Sequence, residues 1–297
     1  MECDLIQIGA ICNNFEKTCD FMKENNLIAS TMNCDKCNMS MSWQKDKKNK
    51  SDGHVWRCTK CRKCKSVRFG SFWEGQKASL GTLLMILYLF CNDVPGHITV
   101  KMLSVCENTV YSWYNLYRDL MSRSLLDDPV VLGGVGHVVE MDESKWGRKR
   151  KYNMGSSQGI RNFWIFGLID RQSKKVLLFN VHDRTTDTLL PIIIAHVEVG
   201  TQIITDEFKS YICLQKAGYA HDTVKHKDGY VNPKTGAHTN SIEGFWGNAK
   251  AKFKSMHGVP REQLAAHLDE IMFRWNNKNE CMFTLMLGLM NKYYKFV

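Results

Sequence analysis

At 297 residues and 44% apolar content, the chain is long enough for one large domain or two to three small ones around a buried core, and it reads as a folded, soluble protein. Forty Lys and Arg against thirty Asp and Glu leave a net charge of +10, gathered in segments that suit a polyanion: twelve basic against four acidic residues from Cys34 to Lys77, and five basic residues in seven from Lys145 to Lys151. No secretory n-region and h-region opens the chain and LGTLLMILYLF is too short to span a bilayer, so the twelve cysteines are expected in a reducing compartment, as metal ligands or small core residues rather than disulfides.

Residues 1–33 form an N-terminal helical segment, in which Phe15, Cys19 and Met22 at i, i+4 and i+7 predict a short amphipathic helix. Residues 34–78 read as a zinc ribbon. Cys34 and Cys37, then Cys58 and Cys61, make two C-x2-C pairs separated by twenty residues, the ligand spacing of a structural Zn2+ site built from two knuckles. Four thiolates can fold a segment too polar to have its own core. Cys64 offers a competing pair with Cys61, and His54 an alternative ligand; Trp56 and the strand-like run into Cys58 favour the first assignment.

Residues 79–126 carry helix signals from Leu80 to Cys91, near Ile98 to Ser104, and onward through Tyr117, with a break at Asp93 to Gly96. Three helices with a tight turn between the last two have helix-turn-helix spacing, although that spacing is common in all-α domains. Ser104 with Glu107 resembles a capping box opening the third helix, and Trp113, Tyr114 and Tyr117 read as packing residues. Asp127, Asp128 and Pro129 with Gly133, Gly134 and Gly136 then mark a linker.

From 137 to 277 the pattern changes class. Strands are predicted at HVVEMDES, NFWIFGLID and KVLLFNV, a helix at TLLPIIIAHV, a strand at QIITDE, a helix at YICLQKAG, a strand around Val224, and helices at Asn240 to Met256 and Arg261 to Asn276. This alternation indicates an α/β fold, a mixed sheet flanked by helices. Residues 278–297 are set apart as a C-terminal segment.

Three acids stand out in this region. Asp142 and Asp206 each follow apolar β-prone residues, and Glu243 lies on a helix whose apolar stripe is Ile242, Phe245, Trp246, Ala249 and Phe253. Two strand acids and one helix acid are the arrangement by which a ribonuclease-H-like core holds two divalent ions, Mg2+ or Mn2+, for phosphoryl transfer. Asp206 alone reads equally as a helix cap. Lys250 and Lys254 share the Glu243 face and could hold a DNA phosphate, as could Lys145, Arg148, Lys149, Arg150 and Lys151; solvated surface positions are the competing reading. Glu207 should point elsewhere, and His226 and His238 suit either a phosphate contact or structural hydrogen bonding.

MDESKWGRKRKYNMG, TDEFKSY, VKHKDGYVNPKTGAHTNSIEGFWGNAKAKFKSMHG and FRWNNK together resemble the transposases of the Merlin superfamily and the bacterial insertion sequences related to it. The resemblance runs from the ribbon to about Asn277 and is densest from Asp142 to Asn276. It implies a DDE site on Asp142, Asp206 and Glu243, with 36 residues between the last two, a following lysine at Lys250, and ribbon ligands at Cys34, Cys37, Cys58 and Cys61. The implied activity is cut-and-paste transposition: binding double-stranded DNA at an element's inverted repeats as a homo-oligomer, cleaving it, and transferring the ends to target DNA. The nucleus is the expected place in a eukaryote, and the cytoplasm or nucleoid otherwise. A transposase-derived DNA-binding regulator and a plain hydrolytic nuclease are the rival readings.

Overall fold

The computed structural model describes residues 4–46, 52–147, 163–224, 238–256 and 259–294. The chain divides into two compact units, one formed by Met1–Leu120 with Lys278–Val297, the other by Met121–Asn277. Among the described residues, no helix is long and apolar enough to cross a membrane.

In the first unit, helices α1 (Leu5–Cys12) and α2 (Phe15–Glu24) precede a three-stranded antiparallel sheet, β1 (Met41–Lys45), β2 (His54–Cys58) and β3 (Cys64–Ser66), in the order β1-β2-β3. Asp4 and Gln7 cap α1 reciprocally, and Asn14 caps α2 through the N–H of Lys17. Cys19 and Met22 are buried as the amphipathic reading expects. Helix α3 (Leu80–Cys91) is apolar on all sides and almost wholly buried. Gly81 lets α1 abut it, since a Cβ there would lie 2.1 Å from the Cys12 carbonyl oxygen.

Helices α4 (Gly96–Leu103) and α5 (Glu107–Asp127) follow, joined by a three-residue turn. Ser104 is not the N-cap of α5. It closes α4 in the left-handed conformation, φ 52°, ψ 40°, and the Cys106 carbonyl instead accepts the N–H groups of Thr109 and Val110 at the start of α5. The Tyr114 hydroxyl holds the pair together, within 2.7 Å of Thr99 Oγ1 and donating to the Val94 carbonyl at 2.8 Å. Trp113, Tyr114 and Tyr117 are buried, so they pack. The C-terminal segment is not separate: its helix α9 (Met282–Tyr293) belongs to this unit, where Phe283 meets Phe21 and Tyr88 and Asn291 donates to the Asn25 carbonyl.

The stretch read as a linker belongs to the second unit, whose boundary falls inside α5. There β4 (Leu132–Gly133) pairs in parallel with β8 (Val197–Glu198), with Leu132 buried. Gly133 has φ 88°, and a Cβ on it would strike the Thr201 side chain at 2.1 Å, so this glycine serves close packing.

The main sheet of this unit contains β5 (Val138–Trp146), β6 (Phe163–Asp170), β7 (Val176–Val181), β9 (Gln202–Asp206) and β10 (Ala220–Val224), in the order β10-β9-β5-β6-β7. β5, β6 and β7 run antiparallel; β9 joins β5 in parallel, and β10 joins β9 in parallel. Helix α6 (Thr186–His196) links the two halves, and α7 (Asn240–Ser255) and α8 (Leu264–Asn276) pack on β5, β6 and β7. This mixed α/β sheet is consistent with the expected ribonuclease-H-like core. Ile242, Phe245, Trp246 and Ala249 bury the α7 stripe in the same core as Val139, Met141, Ile165 and Leu168, at about 1.5–3 kcal/mol for each large side chain. The helix expected at YICLQKAG is absent. Residues 209–211 make one 3-10 turn and the following turns close through a mixture of i→i+3, i→i+4 and i→i+5 bonds, which bury Tyr211, Leu214 and Tyr219 without a continuous helical face.

Candidate active site and metal centre

Side chains alternate across a strand, so Glu140 and Asp142 of β5 project to the face covered by α7, and Glu143 to the other. Parallel pairing sets Glu140 opposite Ile204, which carries Asp142 and Asp206 two residues further along neighbouring strands. Both are half-buried. Glu243 stands in the first turn of α7, also half-buried.

Two hydrogen bonds clamp α7 to β5. The Ile242 N–H donates to Glu140 Oε2 at 2.9 Å, and the Trp246 indole N–H donates to Asp142 Oδ2 at 2.9 Å. Glu140 is fully buried, and Arg171 donates to its other oxygen at 2.6 Å. Arg171 also reaches the His238 carbonyl at 2.6 Å and His238 Nδ1 at 3.0 Å. A guanidinium can only donate, so this ring nitrogen accepts and Nε2 carries the proton. His238 therefore supports the approach to α7. Gly167 faces Asp142 on β6, and a Cβ there would lie 2.5 Å from the Trp246 ring.

Burial pushes the Asp142 carboxyl up, the charges of Asp206 and Glu243 push the same way, and the Trp246 bond opposes them. Glu143 is pushed up to about 8 by burial and then by Asp206 and Asp142, with Arg184 in opposition. It accepts a hydrogen bond from the Tyr211 hydroxyl, and its other oxygen lies 3.6 Å from Arg184. The Arg184 guanidinium lies over the rings of Trp164 and Phe208. The charges of Asp206 and Glu243 both disfavour an ionised Asp142, a repulsion that a divalent cation would relieve, and that is the chemical fit of these three acids to a metal.

Of the predicted phosphate contacts, Lys250 and Lys254 are exposed on α7, and Lys145 is exposed on β5 with its ammonium 5.7 Å from the Trp164 ring centroid. Arg148, Lys149, Arg150, Lys151 and His226 lie outside the described residues. Glu207 is exposed. Glu140, Glu143, Arg171 and Trp246 were not singled out from sequence as site residues. The strand period could have found the first, which sits two residues before Asp142 on the same face.

In the first unit, the Sγ atoms of Cys34, Cys37, Cys58 and Cys61 all lie within 4.8 Å of one another, the only such group of three or more His, Cys, Asp or Glu ligand atoms among the described residues. The two knuckles repeat one geometry. Asn38 donates to the Cys34 carbonyl and Arg62 to the Cys58 carbonyl, and each of these residues takes a positive φ, 52° and 61°. The Cys61 N–H draws the Cys58 thiol down to about 6 against its burial; the Lys36 and Cys37 N–H groups lower Cys34 despite the same opposition. In each knuckle the second cysteine shifts the other way: against backbone N–H groups that pull both down, the neighbouring thiols push Cys61 up to about 11 and raise Cys37, so one thiol per knuckle is biased to the thiolate that Zn2+ takes. Cys64 is outside the group, exposed, with its thiol directed to the Arg62 carbonyl. His54 is outside it too, stacked between Phe15 and Trp43.

The sequence profile of the ISXO2-like transposase domain matches residues 132–276. A transposase-like protein of Haemophilus influenzae is 31% identical over 103 residues, which cover 35% of this chain and 82% of that protein. Among solved structures, the catalytic core of HTLV-2 integrase in complex with magnesium is 14% identical, covering 49% of this chain and 86% of its own, with a TM-score of 0.29. A pre-cleavage Mos1 transpososome is 13% identical over 72% and 78% of the two chains, with a TM-score of 0.25. Likenesses at these TM-scores carry no weight for fold or function.

Proposed function

The chain belongs to a transposase family, the one whose ISXO2-like domain it carries at residues 132–276, and from that premise we propose that it is a DDE transposase of the Merlin type. The supporting observation is the register that carries Asp142 and Asp206 on neighbouring strands beside the helix bearing Glu243. These three acids would hold two Mg2+ or Mn2+ ions, which supply activation of an attacking oxygen and stabilisation of a leaving one. The residues around them do the positioning. Trp246 and Glu140 tie α7 to β5, while Lys250 and Lys254 on the exposed side of α7, with Lys145, offer ammonium groups to phosphates.

The reaction in this reading has two stages. Water first cleaves the strand at the element end, and the freed 3′ hydroxyl then attacks target DNA at the same acids. One phosphodiester replaces another in the second stage, so no nucleotide cofactor is required. The zinc ribbon and the α4–α5 pair would recognise the inverted repeats, with a homo-oligomer holding both ends. The place of action is the nucleus in a eukaryote or the nucleoid in a bacterium.

The test is incubation of the full chain with DNA ending in the element's inverted repeat, plus Mg2+ and a supercoiled target. Cleaved ends and strand-transfer products are expected. Cleavage without joining would identify a hydrolytic nuclease, and binding without cleavage a DNA-binding regulator.

A further inference from the structure

The Trp246 side chain is buried in the core between α7 and the sheet, edge-on to Trp146 with centroids 5.9 Å apart. Packing alone would not dictate where its N–H goes. Trp146, its neighbour, is equally buried, and its own indole N–H has no hydrogen-bond partner among the described residues. Trp246 instead spends its N–H on Asp142, across 104 residues of sequence, and Gly167 is the residue that makes room for the ring at the strand position facing Asp142. An indole has one donor and no acceptor, and a carboxylate has about four lone-pair sites, so this bond fixes the carboxylate and leaves oxygen sites for a cation.

We infer that Trp246 is a positioning residue for the metal site, holding Asp142 in the orientation that binds the divalent ion, with Gly167 as the gap that admits it. The inference rests on the reading of Asp142 as a metal ligand. Outer-shell hydrogen bonds of this kind pre-orient a ligand and so set metal affinity, typically by about tenfold or more. The indole N–H also ties the ligand strand to the helix that carries Glu243, so one bond fixes two of the three acids relative to each other.

The experiment is Mn2+ binding to the full chain, followed by electron paramagnetic resonance of the free ion, with thermal unfolding measured alongside. Trp246→Phe keeps an aromatic ring and removes the N–H, and benzothienylalanine in place of Trp246 keeps the shape as well. Both should weaken Mn2+ binding about tenfold. The isosteric replacement should leave the unfolding temperature near wild type, which a purely structural role would not combine with lost affinity. Asp142→Asn is the control for the underlying reading. Wild-type Mn2+ affinity in the benzothienylalanine protein, with loss in Asp142→Asn, would overturn the role of Trp246 alone. Wild-type affinity in Asp142→Asn would overturn the metal-site reading and this inference with it.

Discussion

Glu140 Oε2 accepts the backbone N–H of Ile242 at 2.9 Å, joining the middle of β5 to the first turn of α7 across 102 residues of sequence. A helix N-terminus leaves its first N–H groups without helical partners and carries partial positive charge, so a buried carboxylate there serves as an N-cap supplied from a distance. Arg171 neutralises the same carboxylate, which lets Glu140 be fully buried.

Glu140→Ala should therefore cost about 3 kcal/mol, because it leaves Arg171 without its carboxylate and the Ile242 N–H without an acceptor. For a unit of this size that lowers Tm by roughly 10 °C. Glu140→Gln should cost less, since an amide oxygen can still accept one bond. Differential scanning calorimetry checks the order; equal stability of Glu140→Ala and wild type would remove the cap from the account.

Asp142→Asn and Asp206→Asn should reduce DNA cleavage and strand transfer to background while DNA binding persists, as removing a carboxylate weakens the metal site and leaves the N-terminal unit untouched. Glu243→Gln should behave the same way. Asn240→Ala, one turn earlier on the same helix, should only reduce activity and should respond to Mn2+ more readily. A gel assay with labelled element ends decides it; a normal Glu243→Gln beside a dead Asn240→Ala would place the third ligand at residue 240.

One Zn2+ per chain is expected from metal analysis of the full protein, lost in the Cys34→Ser, Cys58→Ser double variant and kept in Cys64→Ser, because Cys64 stands outside the thiol group. Loss of zinc from Cys64→Ser would reassign the second knuckle.

The second unit should lose stability in acid through Asp170. Burial alone would raise this carboxyl, but the His137 ring at 2.8 Å and the N–H groups of Gln172 and Gly133 outweigh it and hold the pKa below the ordinary value. A group whose folded pKa is depressed contributes stability that is complete above its unfolded pKa, about 3.9, and is lost as pH falls through the folded value. Tm should thus drop below about pH 4, and Asp170→Asn should be less stable at pH 7 with a flatter acid limb. A parallel acid limb in that variant would move the effect to other carboxylates.

Elements with one dominant periodic signal were legible in the sequence: α3, α7, and the strands carrying Asp142 and Asp206. So was the thiol set, because C-x2-C spacing encodes its own geometry. What escaped depends on distant partners. Ser104 looked like a cap from its local spacing, but a left-handed turn needed by α4 took it. The 127–136 stretch looked like a linker because glycines mark both loops and close contacts, and only Thr201 shows which applies. Trp246 read as one more apolar residue of a stripe, since its ring packs and only its nitrogen is spent elsewhere.

The paired knuckles differ in one respect that bears on how the ribbon gives up metal. Asn38 and Arg62 hold matching left-handed positions, but asparagine visits that region readily and arginine does so at a cost of roughly 1–2 kcal/mol. Zinc ligation, in the ribbon as proposed, would hold both loops closed, so this cost would be released only when the thiols let go. Under chelation the Cys58–Cys61 loop should unfasten before the Cys34–Cys37 loop, with the amide of Arg62 exchanging its hydrogen before that of Asn38. The ribbon would then behave as a clasp with a hinge side and a release side, although its four thiols are chemically identical.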